Sequence, residues 1–214
     1  EITPKTVAAI KKAVAAGVYF VPNTGRNFLT IQDNLETLGL LQKKGQYVIS
    51  FNGGAIVENA DLKVLMTQAI PFETARALWE IGYKKGYCTH IYTVDKLYIW
   101  NPTKTDSDYL TGRVDGWEEP KEEVTMLAKT PIVKVLFEIL DENKRVEMQS
   151  YIEEKITANL NITFSSDRYI EFNDTNATKG KATQLLAEKL GIKMEEVIAV
   201  GDNGNDLSMI EASG

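Results

Sequence analysis

The feature that most constrains this chain lies near its C-terminus, where Val197-Ile198-Ala199-Val200 runs into Gly201-Asp202-Asn203-Gly204-Asn205-Asp206. A short apolar run bounded by turn residues reads as a buried strand. Leu207 and Ile210, three apart in the stretch that follows, predict a helix opening directly on the loop. A strand, a polar turn and a helix make the βα unit of an α/β sheet. In such sheets ligands bind at the carboxyl ends of strands. Two carboxylates and two carboxamides there form a set of hard oxygen donors of the kind Mg²⁺ uses. The plain alternative is an ordinary βα turn, since Asp, Asn and Gly are what turns prefer. A calcium loop of the EF-hand type does not fit. Counted from Asp202, Leu207 and Ser213 stand where Gly and Glu are required.

The rest of the chain fits around that unit. With 214 residues there is room for one large or two small domains, and 43% apolar with 25% charged residues is an ordinary globular composition. A net charge of −6 argues against nucleic acid or an anionic membrane surface as a main partner. No apolar run approaches the ~20 residues of a membrane span. The single cysteine, Cys88, excludes an internal disulfide framework and fits a reducing, cytoplasmic setting. The chain opens on Glu1 and stops at Gly214, just after the last helix. Both ends read as cuts through a longer protein, so the lack of a signal peptide carries little weight.

Residues 1–58 predict α/β structure. Thr3 is a helix N-cap, Pro4 the first helical residue, and Val7, Ile10 and Val14 share a face before Gly17. A buried strand follows at Val18-Tyr19-Phe20-Val21, then the loop 22–27 and a helix with Phe28, Ile31, Leu35 and Leu38 inward. A further strand, 47–51, breaks at Asn52-Gly53-Gly54. Strands alternating with helices imply parallel pairing. The middle, 59–174, predicts antiparallel pairing instead. It has a hairpin of 89–93 with 97–100, helices at 72–85 and 143–158, a strand at 132–140, and a second hairpin of 161–165 with 169–172. From Lys179 the α/β pattern resumes, with a helix at 179–190 closed by Gly191 and then the strand 197–200. The predicted layout is an α/β core, 1–58 and 175–214, interrupted by an inserted α+β domain, 59–174.

Three further segments can carry chemistry. Asn23-Thr24-Gly25-Arg26 follows a strand and offers a hydroxyl, an unhindered N–H and a guanidinium, the makings of a phosphate receptor. Asn52-Gly53 reads as a tight turn or as a close backbone approach to a ligand. Lys179 opens a helix, where a cation is mildly unfavourable unless something else requires it. His90, the one histidine, and the aromatics Trp79, Tyr83, Tyr87, Tyr92, Tyr98 and Trp100 read mostly as core, with some rings available to stack on a sugar or base. The acidic stretch 118–123 reads as a solvated loop and helix start.

In this order, Thr24-Gly25-Arg26, Thr178-Lys179-Gly180 and Gly201-Asp202-Asn203-Gly204-Asn205-Asp206 resemble the haloacid dehalogenase superfamily, in particular the Cof-like phosphatases of its IIB group. The resemblance implies a Rossmann-like core, a parallel sheet flanked by helices, with an inserted cap that selects the substrate. It implies that Thr24 and the Gly25 N–H bind the transferring phosphoryl group and that Lys179 holds phosphate and nucleophile. It further implies that Asp202 ligates Mg²⁺, with Asn205 and Asp206 completing or orienting the shell. Arg26, Asn52 and Gly53 would meet a small phosphorylated metabolite, a sugar phosphate first among them, at the core–cap boundary. The family's opening Asp-x-Asp, whose first Asp attacks phosphorus to form an aspartyl-phosphate, should stand just before Thr3, where this sequence has Glu1 and Ile2. Taken literally, the chain should be inactive.

Three other readings stay open: a phosphomutase on the same core, a non-catalytic phosphate-binding protein, and a nucleotide-binding α/β domain. The last is disfavoured, because neither the G-x-x-x-x-G-K-[ST] nor the G-x-G-x-x-G pattern occurs. Substrate identity is not legible, and a monomer and a homodimer are equally compatible with the sequence.

Overall fold

The structure, a computed structural model, describes residues 2–114, 116–120 and 124–214. In chain order the elements are helix α1 (Pro4–Ala15), α2 (Gln32–Leu38), strands β1 (Tyr47–Ser50), β2 (Ala55–Glu58) and β3 (Lys63–Thr67), and α3 (Phe72–Lys85). Then come β4 (Thr89–Thr93), β5 (Leu97–Trp100), α4 (Lys104–Leu110), β6 (Ile132–Glu138), α5 (Glu142–Lys155), β7 (Leu160–Ser165) and β8 (Tyr169–Asp174). The chain closes with α6 (Lys179–Leu190) and α7 (Leu207–Ala212). These group into two compact units, Glu1–Thr67 with Thr178–Gly214, and Gln68–Ala177.

The first unit carries a three-stranded antiparallel sheet in the order β1-β2-β3. Ile49 and Ile56 from this sheet close on Ala182 and Leu186 of α6, which gives α6 its buried face. α6 begins and ends where its sequence says it should. Thr178 accepts the Lys181 N–H at 3.1 Å, and Gly191 takes the left-handed conformation that ends the helix. α1 is likewise capped by Thr3 at the Thr6 N–H, yet Val7, Ile10 and Val14 are only half-buried. The predicted helix at 28–38 is a short 3₁₀ turn, 28–31, running into α2, with Phe28, Ile31, Leu35 and Leu38 all buried.

The expected parallel sheet is not seen among the described residues. Residues 18–21 form no strand, and in the first unit parallel character survives as the bridge between Asn23 and Ile49. Residues 197–200 form no strand, and Ile198 and Val200 are 88% and 87% exposed. The reason is pairing. An apolar run becomes a strand when a neighbouring backbone accepts and supplies its ladder bonds, and no described segment runs beside 197–200.

The second unit is a five-stranded antiparallel sheet ordered β5-β4-β6-β8-β7. Both predicted hairpins are present, and the second turns at Ser166 and Asp167, each with positive φ. Alternation along β4, β6 and β8 gives the sheet two different faces. Ile91, Val135, Phe137, Ile170 and Phe172 pack with Leu78, Trp79, Met148 and Ile152 of α3 and α5 to form the core. Arg145 of α5 is buried and donates to the carbonyls of Ile139, Leu140 and Asp167 at 2.7, 3.0 and 2.8 Å, tying the exit of β6 to the β7–β8 turn beside it. The opposite face carries His90, Lys134, Glu138, Tyr169 and Glu171, all buried and polar or amphipathic. The sequence reading missed β3 and α4. Of the acidic stretch expected as loop and helix start, 121–123 lie outside the described residues.

Candidate active site

Within the first unit, four separate segments are stitched to one another by side chains from the predicted motifs. Thr24 sits at the end of the parallel-bridged segment. Its N–H donates to the Ile49 carbonyl at 2.9 Å, and its own carbonyl accepts the Asn52 N–H at 3.0 Å. Its hydroxyl accepts the Arg26 N–H at 3.1 Å, which bends the chain at Gly25. The Ser50 hydroxyl and Phe51 N–H both donate to the Arg26 carbonyl. The loop carrying Thr24, Gly25 and Arg26 is therefore fixed to the end of β1, with the Arg26 side chain left exposed.

The turn after β1 is strained and buried. Phe51 and Asn52 both have positive φ, and Asn52 is 3% exposed. Asn pays less than most residues for that conformation. Gly53, at φ +100°, lies so close to Thr178 that a Cβ would come within 2.3 Å of its carbonyl oxygen. That contact brings the start of α6 against the turn. Asn52 Oδ1 accepts from Asn205 Nδ2 at 3.0 Å, and a Cβ on Gly25 would stand 2.8 Å from the same oxygen. Asn52 and Gly53 also hold three loops together.

Lys179 is the first residue of α6 and is buried there, against the usual fate of lysine. Its partner explains this. Lys179 Nζ donates to Asp206 Oδ1 at 2.5 Å, with the two side chains 8% and 7% exposed. Asp206 Oδ2 accepts the backbone N–H groups of Asp202 and Asn203, both at 3.1 Å. Burial pushes the Asp206 carboxyl up. The Lys179 hydrogen bond and charge and the Asn203 and Asp202 N–H groups outweigh it and hold the carboxyl below the usual carboxylate range.

Asn23, to which the sequence alone assigns no role, ties the two ends together. Its Nδ2 donates to the Lys179 carbonyl and the Thr183 hydroxyl, both at 3.2 Å, and lies 3.3 Å from Met209 Sδ. Ser208 was also missed, and its hydroxyl accepts the Gly180 N–H at 3.2 Å. Partners 156 or 28 residues apart leave no local signal in a sequence.

The donor set suits a hard cation. Asp202 is exposed, and one of its oxygens accepts from Asn203 Nδ2 at 2.9 Å. Asn205 Oδ1 is buried without a hydrogen-bond partner, an oxygen whose lone pairs await a donor or a metal. Asp206 is differently placed, because three hydrogen bonds already occupy its two oxygens. Gly201 allows this, since a Cβ there would overlap the Asp206 carboxylate.

Comparison with known proteins shows the family of the chain. The family described as haloacid dehalogenase-like hydrolase matches residues 1–214. YxeH of Bacillus subtilis is 28% identical over 215 residues, covering 100% of this chain and 79% of that protein. The 5-amino-6-(5-phospho-D-ribitylamino)uracil phosphatase YcsE of the same organism is 27% identical, covering 100% and 74%. A haloacid dehalogenase-like hydrolase structure from Bacteroides thetaiotaomicron superposes with a TM-score of 0.85 at 22% identity, covering 100% of this chain and 80% of the other. TM0651 of Thermotoga maritima gives 0.81 at 24%, covering 100% and 78%. With the loop motifs, the Lys179–Asp206 pair and the family match pointing the same way, the chain belongs to the haloacid dehalogenase-like hydrolases, in their Cof-like IIB group.

Proposed function

We propose that this chain carries the phosphate- and cation-binding site of a Mg²⁺-dependent phosphatase acting on small phosphorylated metabolites, with sugar phosphates the first class to try. The observation that carries the reading is the buried Lys179–Asp206 pair, which fastens an ammonium group to the loop bearing Asp202 and Asn205. In this reading Asp202 and Asn205 hold Mg²⁺, and Asp206 orients their loop. The metal, when bound, supplies charge neutralisation for phosphoryl oxygens.

The protein's own groups do the rest. The Thr24 hydroxyl and the Gly25 N–H receive phosphoryl oxygens, and Lys179 supplies positive charge whose position is fixed before substrate arrives. Fixed charge of this kind is most of what phosphoryl transfer asks of a protein. Arg26, exposed on the same loop, is free to reach the rest of the metabolite. Asn52 and Gly53 serve by keeping the loops in register. The inserted unit, Gln68–Ala177, is read as the counterpart of the family's substrate-selecting cap. The named activity of YcsE on a phosphorylated metabolite supports this substrate class.

The test is phosphate release from a panel of phosphomonoesters by the complete gene product containing this chain, with and without Mg²⁺. Asp202→Ala should lower Mg²⁺-dependent turnover by about 10²-fold or more. Because Asp202 is exposed, the variant should keep its stability within ~0.5 kcal/mol. Undiminished turnover in that variant would sink the assignment.

A further inference from the structure

The second unit holds three side chains of metal-binding type that no part of the reading above uses. Cys88 precedes β4, His90 lies within it on the same face, and Asp106 lies in α4, whose N-cap Thr103 directs it toward the sheet. All three are buried, between 0% and 2% exposed. His90 Nε2 lies 2.9 Å from Asp106 Oδ2 and 3.6 Å from Cys88 Sγ. The three donor atoms lie within 4.8 Å of one another, and Cys88 and Asp106 are themselves hydrogen-bonded.

A cysteine, a histidine and an aspartate together suggest a nucleophilic relay, but the connectivity forbids one. A relay passes through the imidazole, with thiol on one nitrogen and carboxylate on the other. Here both meet Nε2. Three donor atoms converging on one another, with protons between them, is instead the arrangement a single cation can replace.

We infer that Cys88, His90 and Asp106 form a binding site for a borderline divalent transition metal, Zn²⁺ or a close relative, that pins α4 to β4.

Three observations carry it. The first is distance. Bonds of ~2.3 Å to sulfur and ~2.0–2.1 Å to nitrogen at tetrahedral angles set the two atoms ~3.6 Å apart, which matches the observed separation. The nitrogen–oxygen edge must open by roughly 0.5 Å from 2.9 Å, a shift within reach of a carboxylate turn. The second is the surrounding shell. Tyr169 Oη donates to Asp106 Oδ1 at 2.6 Å, Tyr92 Oη lies 3.4 Å from His90 Nδ1, and the Thr103 N–H is bonded to the Cys88 sulfur. Ligands oriented by such outer partners are typical of built metal sites. The third is charge. A thiolate, a carboxylate and a dication sum to zero, so the filled site is neutral and suited to burial. Thiolate and imidazole ligands select against Mg²⁺, so this site and the one at Asp202 would not compete for one ion.

The binding step balances as follows. The metal takes the place of the Cys88 thiol proton, which leaves to solvent. In the filled site His90 would bind through the Nε2 lone pair, with Nδ1 carrying the ring proton beside Tyr92 Oη. One proton is released for each ion bound.

The probe is Co²⁺, added to the full chain both in its native state and during refolding from denaturant, so that slow entry cannot hide the site. The expected result is thiolate-to-cobalt charge-transfer absorption saturating at one equivalent, with one proton released per ion. Zn²⁺ should displace it and raise the melting temperature. Cys88→Ser should abolish the absorption and Asp202→Ala should leave it intact. Either native-like refolding without that absorption at millimolar Co²⁺, or absorption without proton release, would overturn the inference. A His90→Gln variant that keeps the full absorption and affinity would overturn it as well.

Discussion

Removing the Lys179 ammonium is the sharpest stability test of the first unit. Lys179→Met keeps most of the aliphatic stem and deletes the charge, leaving Asp206 with two backbone N–H donors at 3.1 Å. Breaking a buried pair by removing one partner costs about 3–5 kcal/mol. The two remaining donors solvate the carboxylate in part, so we expect the lower end, about 3 kcal/mol. For a chain of this size that lowers the melting temperature by roughly 6–12 °C.

The pH dependence follows from the sign of the Asp206 shift. Folding lowers this pKa, so the stability it lends is complete above the ordinary value of 3.8 and drains away as pH falls through the lower folded value. In Lys179→Met this acid-side loss should shrink. The assay is urea denaturation followed by far-ultraviolet circular dichroism, with hydrogen exchange of the Asp202 and Asn203 amides as the local readout. Tryptophan fluorescence would miss the event, because Trp79, Trp100 and Trp117 all lie in the second unit. A double-mutant cycle with Asp206→Asn should give a coupling of about 2 kcal/mol. A coupling under ~0.5 kcal/mol would show that the two side chains do not stabilise one another.

Two more predictions concern packing. Gly53→Ala should cost about 2–4 kcal/mol, since its φ is +100° and the new methyl meets the Thr178 carbonyl oxygen. Thermal melts read this, and a loss below ~0.5 kcal/mol would show that the turn and α6 are not locked together. Arg145→Met strands three carbonyls in the second unit and should cost about 3–5 kcal/mol, visible in the tryptophan signal. An unchanged midpoint would mean those carbonyls find other donors.

What the sequence revealed depended on how local the cause was. α6 was legible to the residue, because Thr178 and Gly191 act within one turn of the ends they close. Both hairpins of the second unit were legible for the same reason. The parallel strands were not, because 197–200 has the composition of a strand but no neighbouring backbone among the described residues to pair with. β3 was missed because its apolar run is only three residues, Val64-Leu65-Met66, set between Lys63 and Thr67, too short to stand out from a loop. α4 was missed because KTDSDYL has almost no apolar face, and the helix is held by its cap and by Asp106. At the site, Thr24, Lys179 and Asp202 stood out by motif. The work of Asn23 and Asn52 did not, since it depends on partners 153 or more residues away.

On the proposed function, Thr24, Gly25, Lys179, Asp202 and Asn205 form one site for phosphate and a hard cation. Its most direct test is a titration of the ¹⁵N-labelled chain with Mg²⁺ and inorganic phosphate together, followed by amide chemical shifts. The amides of these five residues, with Asn52, should move first and saturate together. Asp202→Ala should remove the Mg²⁺ dependence. Shifts confined to other segments, or five amides that do not respond while phosphate binds elsewhere, would contradict it.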